Sequence, residues 1–148
     1  MTPKPDTGNP SRGVAAGHQK AASFSPEVLD WRELCDRCLG NIDLVQRVLE
    51  KFEQRLPQEL AELQHALALS DTEQVARVAH RIKGSSANVS AEGLQRAAEE
   101  VEDSSRAGCV ANIPQHIERL HWEWERYRDY AARCPRQSMA LQQPDNRP

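Results

Sequence analysis

The sequence predicts an all-α protein, an antiparallel up-down four-helix bundle with a short extra helix at its N-terminal end. Between residues 24 and 133, every long stretch repeats its apolar residues with helical period, and none shows the sustained alternation of a β-strand. The 148 residues are 39% hydrophobic but only 5% aromatic, which favours one helical core of Leu, Val and Ala. Amphipathic helices joined by short connections bury their apolar faces most simply against one another.

The first two predicted helices differ in length. Ser25 followed by Pro26 is typical of a helix start, and this short helix is expected to end near Gly40. Asn41 is expected to cap a long second helix, in which Pro57 should cause a kink or a split. The apolar stripe of the second helix consists of Val45, Val48, Leu49, Phe52, Leu56, Leu60, Leu63 and Leu67.

Three more helices complete the bundle. Asp71 is expected to cap the third, whose inward positions are Val75, Val78, Ala79, Ile82 and Val89. A turn at residues 88–90 leads to the fourth, which points Leu94, Ala97, Ala98 and Val101 inward. The fifth follows Asn112 and buries Ile113, Ile117, Leu120, Trp124, Tyr127 and Ala131.

The ends of the chain and its charge limit the possible functions. Residues 1–23 and 134–148 are poor in large apolar residues and are predicted to be disordered tails around a domain at 24–133. A net charge of −3 argues against a nucleic-acid partner. The sequence has neither a membrane-length apolar run nor a signal peptide, so we expect a cytoplasmic, freestanding monomer.

The cysteines do not predict a metal site. Cys35 and Cys38 have ligand-like spacing, but neither Cys109 nor Cys134 has a neighbour that would complete a zinc site. The inward positions of the bundle are Leu, Val, Ile and Ala, which disfavours a metal-binding bundle. We therefore expect ordinary thiols, with no metal and no cofactor.

His80 stands on the outer face of the third predicted helix. At about 100° per residue, it lies roughly 140–160° from the centre of the apolar sector. Its helical neighbours at i−4, i+4 and i+7 are all small, namely Ala76, Gly84 and Ala87. A glycine inside a helix costs about 1 kcal/mol relative to alanine, so Gly84 suggests that another group approaches the ring closely.

Positive charge surrounds the same histidine. Lys83 lies one turn away, and Arg77 and Arg81 lie on the adjoining face. A neutral imidazole is a competent nucleophile near neutral pH, and an ammonium can hold a phosphoryl dianion. The chain has no Gly-rich nucleotide loop, so the phosphoryl donor must be another protein.

The segment around this histidine resembles the phosphoacceptor motif of histidine-containing phosphotransfer (HPt) domains. Its core is His-x-x-Lys-Gly-Ser, within the sequence His80-Arg81-Ile82-Lys83-Gly84-Ser85-Ser86-Ala87-Asn88-Val89-Ser90-Ala91. The similarity extends over roughly residues 24–132 and includes Phe52, Leu94 and the Val101-Glu102 pair.

The resemblance implies a phosphorelay intermediate without catalytic turnover of its own. It implies that His80 accepts a phosphoryl group from a receiver-domain aspartate and passes it to another receiver, with Lys83 stabilising charge and Gly84 providing clearance. Implied partners are receiver domains and a hybrid sensor histidine kinase, with Mg²⁺ only on the receiver. Contacts to the partner are expected from Ala76, Arg77, Arg81 and Ala87. An alternative is a bundle that docks such domains without accepting phosphate.

One position departs from the family pattern, since Ser90 stands where glycine is common. Either Asn88 takes the left-handed conformation instead, or Ser90 caps the fourth helix.

Other polar residues are assigned unremarkable roles. His65, His116 and His121 lack the small-residue surround, so we expect them at surface or boundary positions. The acidic run Glu99, Glu100, Glu102 and Asp103 is predicted to be a solvated face of the fourth helix.

Overall fold

The computed structural model describes residues 26–133, and this part of the chain is helical without a β-strand. Its elements are α1 (Trp31–Arg37), α2 (Ile42–Ala68), α3 (Thr72–Asn88), α4 (Glu92–Arg106), a 3₁₀ turn (Val110–Asn112) and α5 (Ile113–Arg133). The all-α prediction is therefore confirmed. The predicted tails lie outside the described residues.

The starts of α1, α2 and α3 follow local capping chemistry. Asn41 Oδ1 accepts from the backbone N–H of Leu44, and Asp71 Oδ1 does the same for Gln74, so both predicted caps are confirmed. The predicted start of the first helix is wrong: Pro26 lies in a turn, and Asp30 caps a helix that begins at Trp31.

Helix α2 is continuous through Pro57, so the predicted split does not occur. Proline removes one backbone hydrogen bond there. Phe52, Leu56 and Leu60 are buried on both sides of it and hold the helix against the bundle. Tertiary packing of an apolar face outweighs a local helix breaker.

The four long helices share one core. Helix α3 packs between α2 and α4, and α4 packs on α5. On α5, Trp124 stacks on Tyr127 with ring centroids 5.4 Å apart, and Phe52 of α2 meets both rings edge-on. The predicted core role of Trp124 and Tyr127 is confirmed. Helix α1 covers the end of the bundle where α3 turns into α4. The N–H of its cap residue Asp30 donates a hydrogen bond to the Ser90 carbonyl in that turn.

The turn between α3 and α4 resolves the question raised by Ser90. Ser90 itself takes the left-handed conformation, with φ of 59°, so both expected alternatives are wrong. The Ala91 N–H donates to the Ser86 carbonyl and the Ser90 N–H to the Ala87 carbonyl, which closes the C-terminal end of α3. These hydrogen bonds require a positive φ at position 90, which serine adopts at a steric cost.

Candidate functional site

His80 lies in the middle of α3 with 62% of its side chain exposed. The apolar residues of the same helix, Val75, Val78 and Ile82, are buried on the opposite side. The prediction from helical periodicity that His80 is exposed is therefore confirmed. An imidazole in this position can be reached by another protein.

Glu102 on α4 is the hydrogen-bond partner of this imidazole. The prediction that Glu102 belongs to a solvated face of the fourth helix is wrong. Its side chain is not solvated but buried, with a residue exposure of 4%. Its Oε1 atom lies 3.0 Å from Nδ1 of His80. A signal was available, because Glu102 follows Val101 directly and lies four residues after Ala98, at the edge of the apolar stripe.

Two cations meet the same carboxylate. Lys83 Nζ lies 2.7 Å from Oε2 of Glu102, and the Arg106 guanidinium lies 2.7 Å from Oε1. Arg106 lies one turn after Glu102 on α4, and no sequence motif singles it out. The site is thus a buried carboxylate that joins one imidazole, one ammonium and one guanidinium.

The pKa values of Glu102 and Lys83 show which form these two groups take. Burial alone would raise the pKa of the Glu102 carboxyl. Hydrogen bonds from Lys83 and His80, with the charges of Lys83 and Arg106, outweigh burial, so this pKa lies below its ordinary value of 4.5. The hydrogen bond to Glu102 raises the pKa of Lys83 above 10.5. Glu102 is therefore ionised and Lys83 protonated at neutral pH.

The ionised carboxylate selects one tautomer of His80. A carboxylate only accepts hydrogen bonds, so Nδ1 of the imidazole must carry the proton that it donates to Glu102. The other ring nitrogen, Nε2, then keeps its lone pair. The arrangement can present an oriented nitrogen nucleophile on the protein surface, beside two cations.

The small residues around His80 do not all lie on the surface. Gly84 is exposed, and a Cβ atom built on it would have no atom within 4 Å. Ala87 is half-buried near the end of the helix. Ala76 is buried, with 7% exposure, which leaves little of its surface for a partner, and its expected contact with one stays a prediction. Clearance around the ring therefore comes from Gly84, while Ala76 packs inside the bundle.

The two arginines of α3 are held by acidic neighbours. Arg77 pairs with Glu73 at 2.8 Å on the same helix. Arg81 points towards α2, where it pairs with Glu62 and lies 3.7 Å from Oε1 of Glu59. Their expected contact with a partner stays a prediction, since each guanidinium already has a carboxylate.

The other histidines lie apart from this cluster. His116 contacts the Ser104 hydroxyl at 2.7 Å, His121 contacts the Gln64 side chain at 3.0 Å, and His65 is exposed. Residues 26–133 contain no group of three or more His, Cys, Asp and Glu side chains placed to hold a metal ion. No helix in this part of the chain has the length and apolar character needed to cross a membrane.

Comparison with known proteins adds a family and a fold. The family model described as "Hpt domain" matches residues 47–130. The crystal structure of the HPT domain of a hybrid sensor histidine kinase from Shewanella is similar, with a TM-score of 0.63 and 19% identity. The alignment covers 81% of this chain and 100% of that domain. The comparison with curated proteins found no match.

Proposed function

Because the chain belongs to the Hpt domain family, we propose that His80 is its phosphoacceptor and exchanges phosphoryl groups with the aspartates of receiver domains. Hpt domains are phosphocarrier modules of two-component phosphorelays rather than catalysts. The observation that carries the proposal is the exposed imidazole whose Nδ1 is bound by the buried Glu102 carboxylate.

The transfer step uses the lone pair of His80 Nε2. This nitrogen attacks the phosphorus of an aspartyl phosphate on the receiver, so an N–P bond forms as the P–O bond to the aspartate breaks. The aspartate leaves as a carboxylate, and no proton has to move. The Mg²⁺ ion and the alignment that this reaction needs belong to the receiver.

The product places a positive charge on the imidazole, because Nδ1 keeps its proton while Nε2 bears the phosphoryl group. Glu102 lies next to that charge and stabilises it. Lys83 and Arg106 lie beside the same carboxylate and can turn to the phosphoryl oxygens. The cluster therefore supports both ends of the phosphohistidine, and the reverse step delivers the group to a second receiver.

Transfer from a phosphorylated receiver tests the proposal. The protein is incubated with a ³²P-labelled receiver, and acid-labile, base-stable label is expected on the wild type. It should be absent from His80→Gln and retained in the control His65→Gln, which replaces another exposed histidine. Label on His80→Gln would assign the phosphoacceptor elsewhere. A wild type that binds the receiver without gaining label would instead support the docking-only alternative.

The proposal includes that the protein is a monomer and that it lies in the cytoplasm. A monomer in the cytoplasm has access to receivers that are phosphorylated at the expense of ATP.

A further inference from the structure

A groove runs along the bundle between α2 and α5. Helix α2 packs on α3 and α5 packs on α4, but the backbones of α2 and α5 approach each other at few points. The groove between them has a volume of about 1160 Å³. It is lined on α2 by residues between Gln46 and Pro57, and on α5 by residues between Trp124 and Ala132. Of the four seams of the bundle, this is the one that its own helices close least.

Aromatic rings form the floor of the α2–α5 groove. Trp124 and Tyr127 line the groove and are buried, and Phe52 of α2 packs edge-on against both rings. The Tyr127 hydroxyl donates to Oε1 of Glu53 at 2.9 Å, so its polar end has a partner. Flat rings of this kind offer a surface against which aliphatic side chains can pack.

The C-terminal segment of the chain, residues 134–148, starts at one end of this groove. Helix α5 ends at Arg133, and Ala131 and Ala132 in its last turn line the groove. A proline disfavours the helical conformation of the residue before it. Pro135 therefore favours a change of chain direction directly after α5, at the mouth of the groove.

This segment has the length and the side chains to fill the groove. Met139 and Leu141 are its only large apolar residues. They follow Arg133 by six and eight residues, which corresponds to about 20–26 Å of extended chain. Trp124 lies nine residues before Arg133 on α5, a distance of about 14 Å along the helix. The segment can therefore reverse its direction and still place both side chains over the rings.

Charge favours the same occupant. The groove is lined by four carboxylates and one cation, Arg128, which pairs with Glu125. Residues 134–148 contain two arginines and one aspartate, so the net charge of this segment is positive. A second copy of the whole chain would instead bring a net charge of −3. The segment that begins beside the groove thus matches its charge as well as its apolar floor.

We propose that residues 136–141 of this chain bind in the α2–α5 groove, with Met139 and Leu141 against the aromatic rings and Arg136 at the acidic rim. Binding there covers apolar surface and closes the open seam from outside, which stabilises the bundle. This placement departs from the disordered tail expected for residues 134–148, because the groove gives Met139 and Leu141 a surface to cover. It is independent of phosphoryl transfer, since no residue of α3 lines the groove.

Two double variants of the full chain test the proposal. Met139→Ser with Leu141→Ser removes the apolar side chains, and the control, Gln142→Ser with Gln143→Ser, changes two polar residues of the same segment. We expect the first to lower Tm by about 5 °C and the control to leave Tm unchanged. In ¹H–¹⁵N NMR spectra, the first should shift the amide signals of residues 46–53 and 124–132, and the control should not.

Three outcomes would overturn the proposal. The first is an equal Tm for the two double variants, and the second is a set of shifted amide signals that lies outside the groove. The third is a Tm difference that grows with protein concentration, because the segment would then dock on a second copy of the chain. The single variant Arg136→Gln separates charge from apolar contact: it should lower Tm by a smaller amount, and only at low salt.

Discussion

Replacing Glu102 by glutamine tests the carboxylate at the centre of the site. The change keeps the size of the side chain and removes one negative charge. Three contacts are affected: 3.0 Å to His80 Nδ1, 2.7 Å to Lys83 Nζ and 2.7 Å to Arg106. An amide can also donate to Nδ1, which would move the ring proton to Nε2 and block the nucleophile.

The expected magnitudes follow from the exposure of each partner. A hydrogen bond to a charged group contributes about 1.5–3 kcal/mol and a neutral one about 0.5–1.5 kcal/mol, so each contact loses roughly 1 kcal/mol. The side chains of His80 and Arg106 are more than 60% exposed, so solvent reduces the contribution of their contacts to the free energy of unfolding. We expect the free energy of unfolding to fall by about 1–2 kcal/mol. A similar loss in the transition state slows transfer by about fivefold to thirtyfold.

The assay measures transfer from a phosphorylated receiver by rapid quench, and unfolding by urea. Glu100→Gln is the matched control, since Glu100 is an exposed residue of the same helix. A transfer rate for Glu102→Gln within twofold of this control would refute the assignment of Glu102 to the site.

The lowered pKa of Glu102 makes the stability difference depend on pH. A carboxyl whose pKa is lower in the folded state adds stability above its unfolded value, here 4.5, and this stability is lost as the pH falls through the folded pKa. The difference in the free energy of unfolding between wild type and Glu102→Gln should therefore have its full size at pH 7 and become smaller below pH 4.5. A gap that stays constant down to pH 3 would show that the charge is not its cause.

Further substitutions separate space, charge and backbone conformation. Gly84→Ala should raise Tm by about 4 °C, because a Cβ meets open space, yet should slow transfer; a lower Tm would contradict this. Gly93→Ala should lower Tm in the same thermal scans, because its Cβ would lie 2.5 Å from Oε2 of the buried Glu123 side chain and 3.3 Å from the Glu27 carbonyl oxygen. Lys83→Ala should slow transfer about tenfold to a hundredfold, and less in high salt; equal rates would remove it from the site. Ser90→Gly should raise Tm, since glycine accepts a φ of 59° without strain.

Local patterns in the sequence were sufficient for the all-helical fold, for two of the helix caps and for the exposed histidine. The caps at Asn41 and Asp71 depend on atoms three residues away, and the exposure of His80 depends on the period of one helix. Interactions within a few residues are encoded where they occur in the chain, and they could be predicted without knowledge of the packing.

Packing between helices decided the rest. Glu102 is 22 residues from His80, and their contact exists because α4 packs on α3 with this edge of its apolar stripe turned inward. The burial of Ala76 and the pairing of Arg81 with α2 depend equally on neighbouring helices. Periodicity defines the faces of a helix. The distance between two helices, and the rotation of each about its axis, decide whether a residue at the edge of a face is covered. The sequence by itself therefore determined that His80 is exposed, and only the tertiary structure decided which charged groups lie beside it.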